Sequence, residues 1–399
     1  MLAQTNKTLN VLDIGTSKVT SVIARFVDNK FEILGVGNHS SGGIRHGVIS
    51  DVKMARSAIA SAVYEAEKMA GRNADKVIIN VSNPLIKSRT ITIRTDFGGN
   101  QILPSDLRKL RNIVFSKIDI TKDEILSYKV LKHDLDEMKG ISDPEFMFAN
   151  LLVSYVHIVT VPVKYLINMG SCLLGCQLKI GNFILSSEAS ASVCLDDSEK
   201  VEGCVLIDIG GGNADYIVYK NKKVLECGVI PLGGINITRD IAECFSISFA
   251  EAEKIKVLHG GLERLGVVEG NIIEIKGTNK IVNTHVLNKV IRARFLEVMN
   301  FVMKRLREKK QYRTCLNKIV FTGGGSKLSG LVEFIDQKYK ASARVGAPNN
   351  IKIEGGFSED PVFSTSLGLI KSSVVKRDYG FRHESSKIKK AIEWLKQNF

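Results

Sequence analysis

Two stretches of the chain place an aspartate at the end of an apolar run, just before a turn of small residues. The first begins at Asp13 and reads DIGTSK, and the second begins at Asp208 and reads DIGGGN. Such a turn offers backbone N–H groups to a phosphate, and its aspartate can orient water on a magnesium ion. Each turn alone is also typical of an ordinary glycine hairpin. Two opposed copies predict a site that holds nucleotide phosphates from both sides and organises the metal through two carboxylates.

A third glycine-rich stretch, FTGGGS, ends at Ser326 and follows the apolar run KIVFT. Three consecutive glycines allow a flat base or ribose to lie directly on the backbone. Upstream, Glu253 and Lys256 stand one helical turn apart and can both reach a ribose or base. Alone, that pair is more typical of a solvated helix face. The ordered combination of the three stretches indicates a nucleotide site.

The elements that must position these residues form a repeat. Residues 10–37 and 204–230 follow one plan: an apolar strand ending in Asp-Ile-Gly, a small-residue turn, a second strand, an Asn/Lys turn and a third strand. Short β-branched runs separated by Gly and Asn predict a three-strand meander. Two such meanders predict two similar lobes that face each other.

Helical periodicity follows the meanders at residues 52–70, 249–258 and 290–308, so the chain is predicted to be an α/β protein. The stretch 85–162 does not fit the repeat, and its strand-like and helix-like runs predict a small α+β insertion within the first lobe. After Leu369 the apolar periodicity is lost. The segment 371–385 is therefore predicted to be a polar, exposed linker.

The composition limits the possible partners. The chain has 399 residues and a formal net charge of +14, which favours two or more lobes and a polyanionic partner such as nucleotide phosphates or an anionic membrane surface. Aromatic and basic residues do not alternate as they do in single-strand binders, so nucleic acid is disfavoured. Seven scattered cysteines predict reduced thiols.

The last fourteen residues, SKIKKAIEWLKQNF, have the pattern of an amphipathic helix. Wound as a helix, the segment puts its apolar residues on one stripe, with lysines opposite. The membrane-facing residues are predicted to be Ile388, Ile392, Leu395 and Phe399, with Trp394 toward the edge of the stripe. A terminal helix docked on the protein's own core has the same pattern. The preceding linker favours the membrane, since a docked helix needs no long tether.

The order of these motifs resembles that of the actin/heat-shock-chaperone/sugar-kinase ATPase superfamily. Within it, the chain resembles the FtsA family of bacterial cell-division proteins, in the stretches SGGIRHGVISDVKMARSAI, VHIVTVPVKYLINM and LDDSEKVEGCVLIDIGGG and in the insertion and tail. The resemblance implies a two-lobed actin/heat-shock-chaperone-like α/β fold. It divides the chain into a first lobe (1–84 and 163–200), an inserted α+β subdomain (85–162), a second lobe (201–245 and 313–370) with a subdomain (246–312), a linker (371–385) and a membrane-targeting amphipathic helix (386–399).

The resemblance also implies ATP and Mg²⁺ as cofactors, with Asp13 and Asp208 organising the metal through water. It implies a water-activating role for Glu188 and a water-orienting role for Asp215. The implied phosphate contacts are Gly15, Thr16, Ser17, Lys18, Gly210, Gly211, Gly212 and Asn213, and the implied nucleoside contacts are Glu253, Lys256, Gly323, Gly324, Gly325 and Ser326.

Three positions depart from the family pattern. Asn213 and Ala214 stand where two threonines are usual, and Ala189 stands where a proline is usual. An amide and a methyl replace two hydroxyls that can touch phosphate or its water shell, whereas the backbone donors are retained. The departures therefore predict ATP binding with at most slow hydrolysis, and leave open whether the protein is an enzyme.

For function, the resemblance implies a protein that polymerises and tethers FtsZ filaments to the cytoplasmic face of the inner membrane at the division septum. Arg294 lies in a segment similar to the one that binds the FtsZ tail in the family, and the insertion is implied to recruit later division proteins. Two alternatives share the ATP site: a pilus-assembly relative and a sugar-kinase-type enzyme. The tail and the LDDSEKVEG stretch count against the first, and no kinase-type catalytic aspartate is apparent for the second.

Overall fold

The computed structural model describes residues 7–119, 121–263, 272–275, 280–309, 312–354 and 359–374. Up to residue 202 the elements in chain order are β1 (Lys7–Ile14), β2 (Lys18–Val27), β3 (Lys30–Ser40), β4 (Ile44–Arg45), β5 (Val48–Ile49), α1 (Val52–Ala70), β6 (Lys76–Val81), β7 (Lys87–Asp96), α2 (Pro104–Ser116), β8 (Asp123–Leu135), β9 (Met138–Ile141), β10 (Leu151–Pro162), α3 (Val163–Leu174), β11 (Lys179–Leu185), α4 (Ser186–Cys194) and α5 (Asp197–Glu202).

The second part of the chain continues the alternation of strands and helices. Its elements are β12 (Cys204–Ile209), β13 (Ala214–Lys220), β14 (Lys223–Ile230), α6 (Gly234–Phe245), α7 (Phe249–His259), β15 (Ile272–Glu274), β16 (Ile281–Asn283), α8 (Thr284–Arg307), β17 (Lys318–Thr322), α9 (Leu331–Tyr339), β18 (Ser342–Val345), β19 (Ile353–Glu354) and α10 (Ser364–Val374).

The first lobe is built on a six-stranded sheet in the order β11-β6-β1-β2-β3-β19, in which β1, β2 and β3 form the predicted meander. Helix α1 packs closely on this sheet because the facing residues, glycines on β3 and alanines on α1, have small side chains or none. A side chain at Gly35 or Gly37 on β3 would overlap the carbonyl oxygens of Ala66 or Ala62 on the helix. These two glycines therefore allow α1 to lie directly against β3.

The second lobe repeats the meander in a five-stranded sheet of order β14-β13-β12-β17-β18. The turn between the second and third strands has the same backbone in both copies. Asp28 and Asn29 have φ values of 47° and 61°, and Asn221 and Lys222 have 51° and 60°. Two successive positive φ values are typical of two-residue hairpin turns, which match the twist of the strands. The predicted repeat is confirmed at the level of the backbone.

The inserted segment forms its own four-stranded sheet, β7-β10-β8-β9, with α2 packed on it. It also contacts the second lobe. The Cys227 N–H donates to Ser88 Oγ at 3.1 Å, and the Lys223 amino group donates to the Leu131 carbonyl. The insertion belongs to the first lobe in sequence, yet its edge lies against β14 of the second.

The start of helix α8 and the start of the predicted linker differ from the sequence predictions. Helix α8 begins at Thr284, six residues before the predicted start, because the Asn283 side chain caps it by accepting from the N–H groups of His285 and Val286. Helix α10 continues to Val374 and includes the first four residues of the predicted linker. Its Lys371 amino group donates to the Ser192 carbonyl at 2.7 Å, which holds this last turn against α4. The remainder of the linker and the predicted terminal helix lie outside the described residues.

All seven cysteines are free thiols, as predicted. In the part of the chain that the structure describes, no helix has both the length and the apolar character needed to cross a bilayer.

Candidate functional site

The two small-residue turns close their hairpins in the same way. The Gly15 N–H donates to the Lys18 carbonyl at 3.0 Å, and the Gly210 N–H donates to the Asn213 carbonyl at 2.8 Å. Each hydrogen bond joins two residues that are three positions apart in the sequence. The two residues between them form the tip of the turn that connects the strands. The hairpins are therefore the same structural unit in both lobes.

The turns face each other across the boundary between the lobes. A Cβ atom on Gly211 would lie 2.7 Å from Ser17 Oγ, and a Cβ atom on Gly212 would lie 2.5 Å from Thr16 Oγ1. A side chain at either glycine would collide with the opposite turn, so glycine is required where the lobes meet. The structure thus brings together the two turns that the sequence placed about two hundred residues apart.

Three aspartates lie buried beside the turns and accept hydrogen bonds from hydroxyl groups. Asp13 accepts from Ser366 at 3.0 Å, Asp208 accepts from Ser190 at 2.6 Å and from Thr365 at 3.1 Å, and Asp215 accepts from Ser82 at 2.7 Å. These hydroxyls are supplied by α10, by α4 and by the loop after β6. They fix the orientation of each carboxylate.

Burial dominates the electrostatics of the three carboxyl groups. It raises the pKa of Asp13 to about 6 and also raises the pKa values of Asp208 and Asp215. Repulsion from Asp208 adds to the shift at Asp215 and makes a smaller contribution at Asp13. The site therefore holds more potential negative charge than its surroundings compensate, which suits a bound cation.

Lys18 supplies a positive charge at this site. Its amino group donates to the Val362 carbonyl at 3.0 Å and lies 4.0 Å from the centre of the Phe363 ring. Burial lowers the pKa of Lys18, and attraction to Asp13 opposes that shift. Within the described ranges, no three His, Cys, Asp or Glu side chains converge closely enough to ligate one ion directly. Asp13 and Asp208, which lie buried at the two turns, are the carboxylates that could hold a magnesium ion through its water molecules.

The triple-glycine loop packs over the second turn. Gly323 has a φ of 78°, and a side chain there would overlap the Asp208 carboxylate, so this position requires glycine. Gly325 packs against the end of β12, whereas at Gly324 the nearest atom to the position of a Cβ, among the described residues other than its chain neighbours, is 3.9 Å away. Ser326 is buried and donates to the Gly323 carbonyl at 2.7 Å, so its hydroxyl shapes the loop.

Glu253 and Lys256 on α7 form an ion pair of 2.7 Å that reaches the same turn through α6. The Lys256 amino group donates to Thr238 Oγ1 at 2.8 Å and to the Gly234 carbonyl at 3.2 Å. The Gly234 N–H in turn donates to the Gly210 carbonyl at 2.9 Å. The pair is thus linked to the second turn rather than lying on a fully solvated helix face.

Glu188 occupies a different environment from the three aspartates. Its carboxylate accepts from Ser127 Oγ at 2.8 Å and from the Lys129 amino group at 2.9 Å, both on β8 of the insertion. Ser190, two residues further along α4, donates to Asp208. The helix therefore presents its serine to the turns, while its glutamate is bound to the inserted subdomain.

Ser82 is a site residue that none of the sequence motifs indicates. Its hydroxyl donates to Asp215, and both its hydroxyl and its carbonyl oxygen accept from the Asn213 amide group. Ser82 follows β6, which runs parallel to β1. Because parallel strands end at the same edge of a sheet, a small polar residue directly after such a strand was the available signal.

Arg294 on α8 is held by acidic residues of its own lobe. It makes a bidentate ion pair with Asp240 at 2.6 and 2.8 Å and contacts Glu297. The hydrogen bonding that Arg294 donates to the Asp240 carboxylate is the main reason that the pKa of Arg294 is raised. The Arg294 side chain is therefore held by two ion pairs and is not a freely solvated arginine.

Two cavities lie along α8, away from the turns. One, of about 430 Å³, is lined by Asp240, Glu243, Cys244, Val290, Ala293, Arg294 and Glu297. The other, of about 360 Å³, is lined by Glu263, His285, Asn288, Lys289, Arg292, Ala293 and Leu296. Neither cavity is lined by residues of the two turns, which contact each other directly. The candidate nucleotide site is therefore identified by the repeated turn backbone and the buried carboxylates, and not by a cavity.

The residues predicted to face a membrane lie outside the described residues. They are Ile388, Ile392, Trp394, Leu395 and Phe399.

Comparison with known proteins places the chain in a family. The family described as Cell division protein FtsA matches residues 205–368. Cell division protein FtsA of Agrobacterium fabrum is 30% identical, over 98% of this chain and 95% of that protein. Among solved structures, the PilM-PilN type IV pilus biogenesis complex has a TM-score of 0.68 at 16% identity, covering 93% of this chain and 100% of the other. MreB5 of Spiroplasma citri bound to ADP has a TM-score of 0.53 at 13% identity, covering 97% and 98%.

The two kinds of similarity carry different information. At such low identity the structural likenesses show the fold alone, which is that of the actin-like ATPases and confirms the predicted fold class. The sequence similarity extends over nearly the full length of both proteins and identifies the family. Taken with the duplicated turns, it shows that this chain belongs to the FtsA family of bacterial cell-division proteins.

Proposed function

We propose that this protein is a nucleotide-gated scaffold of cell division. It binds Mg-ATP between its lobes, polymerises, and tethers FtsZ filaments to the cytoplasmic face of the inner membrane at the septum. Family membership supports the division role. The observation that carries the nucleotide part is the contact between two equivalent turns beside three buried carboxylates.

In this proposal the backbone of both turns binds the phosphates, with Lys18 adding a positive charge from the first lobe. Asp13 and Asp208 would hold Mg²⁺ through its waters, and the bound ion neutralises phosphate charge. The loop around Gly324 and the Glu253–Lys256 pair would bind the nucleoside. The hydroxyl groups that orient the carboxylates come from α4 and α10, which lie between the sheets.

Hydrolysis is expected to be slow. Asn213 and Ala214 replace two hydroxyl-bearing residues at the second turn. The Glu188 carboxylate is bound through Oε1 by Ser127 and Lys129 of the insertion, and these contacts compete with a role in activating water. ATP binding, rather than rapid turnover, then controls the state of the scaffold.

Calorimetry with Mg-ATP tests the nucleotide assignment, and steady-state phosphate release tests the type of activity. We expect saturable, magnesium-dependent binding and little turnover, with no stimulation by sugars. Rapid sugar-dependent consumption of ATP would identify a kinase instead, and lack of Mg-ATP binding would contradict the assignment. The likeness to the pilus complex concerns the fold, so a pilus-assembly role is the weaker alternative.

Helix α8 is the proposed docking element for the FtsZ tail, which combines acidic and apolar residues. Its two faces differ in charge. The cavity beside Arg294 carries three carboxylates, of Asp240, Glu243 and Glu297, against one guanidinium. The cavity on the other face carries Lys289 and Arg292 with a single glutamate and is better suited to an acidic peptide.

Matched charge reversals test this docking element. If Arg294 binds the tail, Arg294→Glu weakens affinity for an FtsZ tail peptide and Arg292→Glu has less effect. The opposite result would move the site to the Arg292 face. If both variants bind the peptide with the affinity of the wild type, docking on α8 is contradicted. Thermal unfolding of each variant controls for loss of the Arg294–Asp240 ion pair.

Membrane attachment is proposed to reside in residues 386–399, and recruitment of later division proteins in the insertion. One amphipathic helix of this length binds weakly, so polymerisation would strengthen attachment by multiplying the anchors. Deleting 386–399, or changing Trp394 and Leu395 together to Glu, should release the protein from anionic liposomes while Mg-ATP binding is retained. Equal sedimentation of the truncated and intact proteins with liposomes would remove the tail from the proposal.

A further inference from the structure

A series of hydrogen bonds through Asn213, Ser82 and Asp215 joins the two lobes next to the turns. The Asn213 Nδ2 group donates to Ser82 Oγ at 2.8 Å and to the Ser82 carbonyl at 3.3 Å, and the Ser82 hydroxyl donates to Asp215 at 2.7 Å. A carbonyl oxygen can only accept a hydrogen bond, so the contact with Ser82 determines which end of the amide faces it. The orientation of the Asn213 amide is therefore fixed.

This arrangement leaves one buried acceptor unsatisfied. Asn213 is 5% exposed, and its Oδ1 atom has no hydrogen-bond partner among the described residues. Desolvating an acceptor without a donor is unfavourable, so this atom is suited to a ligand that donates. Phosphate oxygens are themselves acceptors and do not meet that requirement. A water molecule does.

The location of this acceptor matters because Asn213 closes the second turn. Its carbonyl accepts from the Gly210 N–H, and its side chain reaches Ser82 in the first lobe. In contrast to the hydroxyl of the threonine usual in the family, the amide has separate donor and acceptor ends. The donor end is held by Ser82, which leaves the acceptor end for a water molecule.

We propose that Asn213, held by Ser82, orients the water that attacks the terminal phosphate of the bound nucleotide. Ser82 is then a positioning residue that acts through Asn213 and Asp215. The water oxygen forms the new bond to phosphorus while the bond to the ADP oxygen breaks, and ADP leaves with that electron pair. One water proton stays on the released inorganic phosphate and the other passes to solvent. This inference rests on the proposed nucleotide function and deepens it.

The test uses the full-length chain, Mg-ATP, calorimetric affinity and single-turnover phosphate release. Ser82→Ala should slow phosphate release by about tenfold or more, because a displaced water loses its attack geometry, while Kd changes by less than about threefold. Ser82→Thr keeps the hydroxyl and should retain most of the rate. Ser88→Ala is the matched control, because the Ser88 hydroxyl also joins the lobes, through the Cys227 N–H, but lies in the insertion.

Three results with the variants would overturn the proposal: a wild-type rate in Ser82→Ala, equal slowing in Ser82→Ala and Ser88→Ala, or a rise in Kd that matches the fall in rate. Mg-ATP binding by the wild type without measurable hydrolysis also overturns it, and leaves the proposed scaffold function standing. If the wild type does not bind Mg-ATP, the proposed function fails together with this inference. The unfolding temperature of each variant shows whether it is folded. If Ser82→Ala is not folded, the rate of Ser82→Thr decides the result, and a rate well below that of the wild type contradicts the proposal.

Discussion

The two turns have the same backbone but different charges. In the first hairpin Asp13 pairs across the strands with Thr20, whereas in the second Asp208 pairs with Asp215. A neutral hydroxyl thus lies opposite the aspartate in one lobe and a second carboxyl group lies opposite it in the other. A duplicated fold fixes where a side chain is placed, and the residue at each place decides what it can bind.

The position that closes each turn differs as well. Lys18 closes the first turn and Asn213 closes the second. The first turn therefore carries one positive and one negative side chain, and the second carries two carboxyl groups and a neutral amide. We infer that the second turn contributes more to organising the metal and its waters, while the first turn contributes more to direct attraction of phosphate.

Alanine substitution of the two aspartates is the strongest test of this difference. Asp208→Ala should reduce the magnesium-dependent affinity for ATP by about 100-fold, and Asp13→Ala by about tenfold, since outer-shell partners of a metal contribute within this range. Calorimetry with and without Mg²⁺ measures both. Equal losses in the two variants, or losses that persist without magnesium, would mean that the turns do not differ in this way.

Lys18→Met addresses the first turn. Removing a charge that contacts phosphate should weaken nucleotide binding by about tenfold, with a similar factor in the presence and absence of Mg²⁺. The methionine keeps most of the apolar contact with the Phe363 ring, so packing is largely retained. A loss seen only with magnesium would assign Lys18 to the metal site and remove the contrast between the turns.

Neutralising the second turn should stabilise the protein when no ligand is present. At pH 8 without nucleotide or magnesium, Asp215→Asn should raise the unfolding temperature by about 2–4 °C, because it removes a carboxyl group whose ionisation is opposed first by burial and then by Asp208. Asp13→Asn should raise it less, since Lys18 compensates that carboxylate. Scanning calorimetry compares the two, and a larger gain in Asp13→Asn would reverse the proposed asymmetry.

Local sequence was sufficient for the duplicated framework. Hydrophobic alternation, the Asp-Ile-Gly endings and the Asn-containing hairpin turns predicted both meanders, because each pattern reflects constraints within a few residues. Helix α1 was predicted at its observed bounds, 52–70, for the same reason: its apolar period is regular and Gly71 ends it in a left-handed conformation with φ of 64°.

The contacts that distinguish the site come from long-range packing instead. Ser82 and Asn213 are 131 residues apart and meet only because the lobes close on each other. Lys129 reaches Glu188 across 59 residues because the inserted sheet lies over α4, and Asp240 reaches Arg294 across 54 residues because α6 packs beside α8. Residue type and periodicity identify which side chains can bind a phosphate, a metal or a peptide. Which of them is already bound to another part of the protein depends on how separate elements pack, and no local pattern encodes that arrangement.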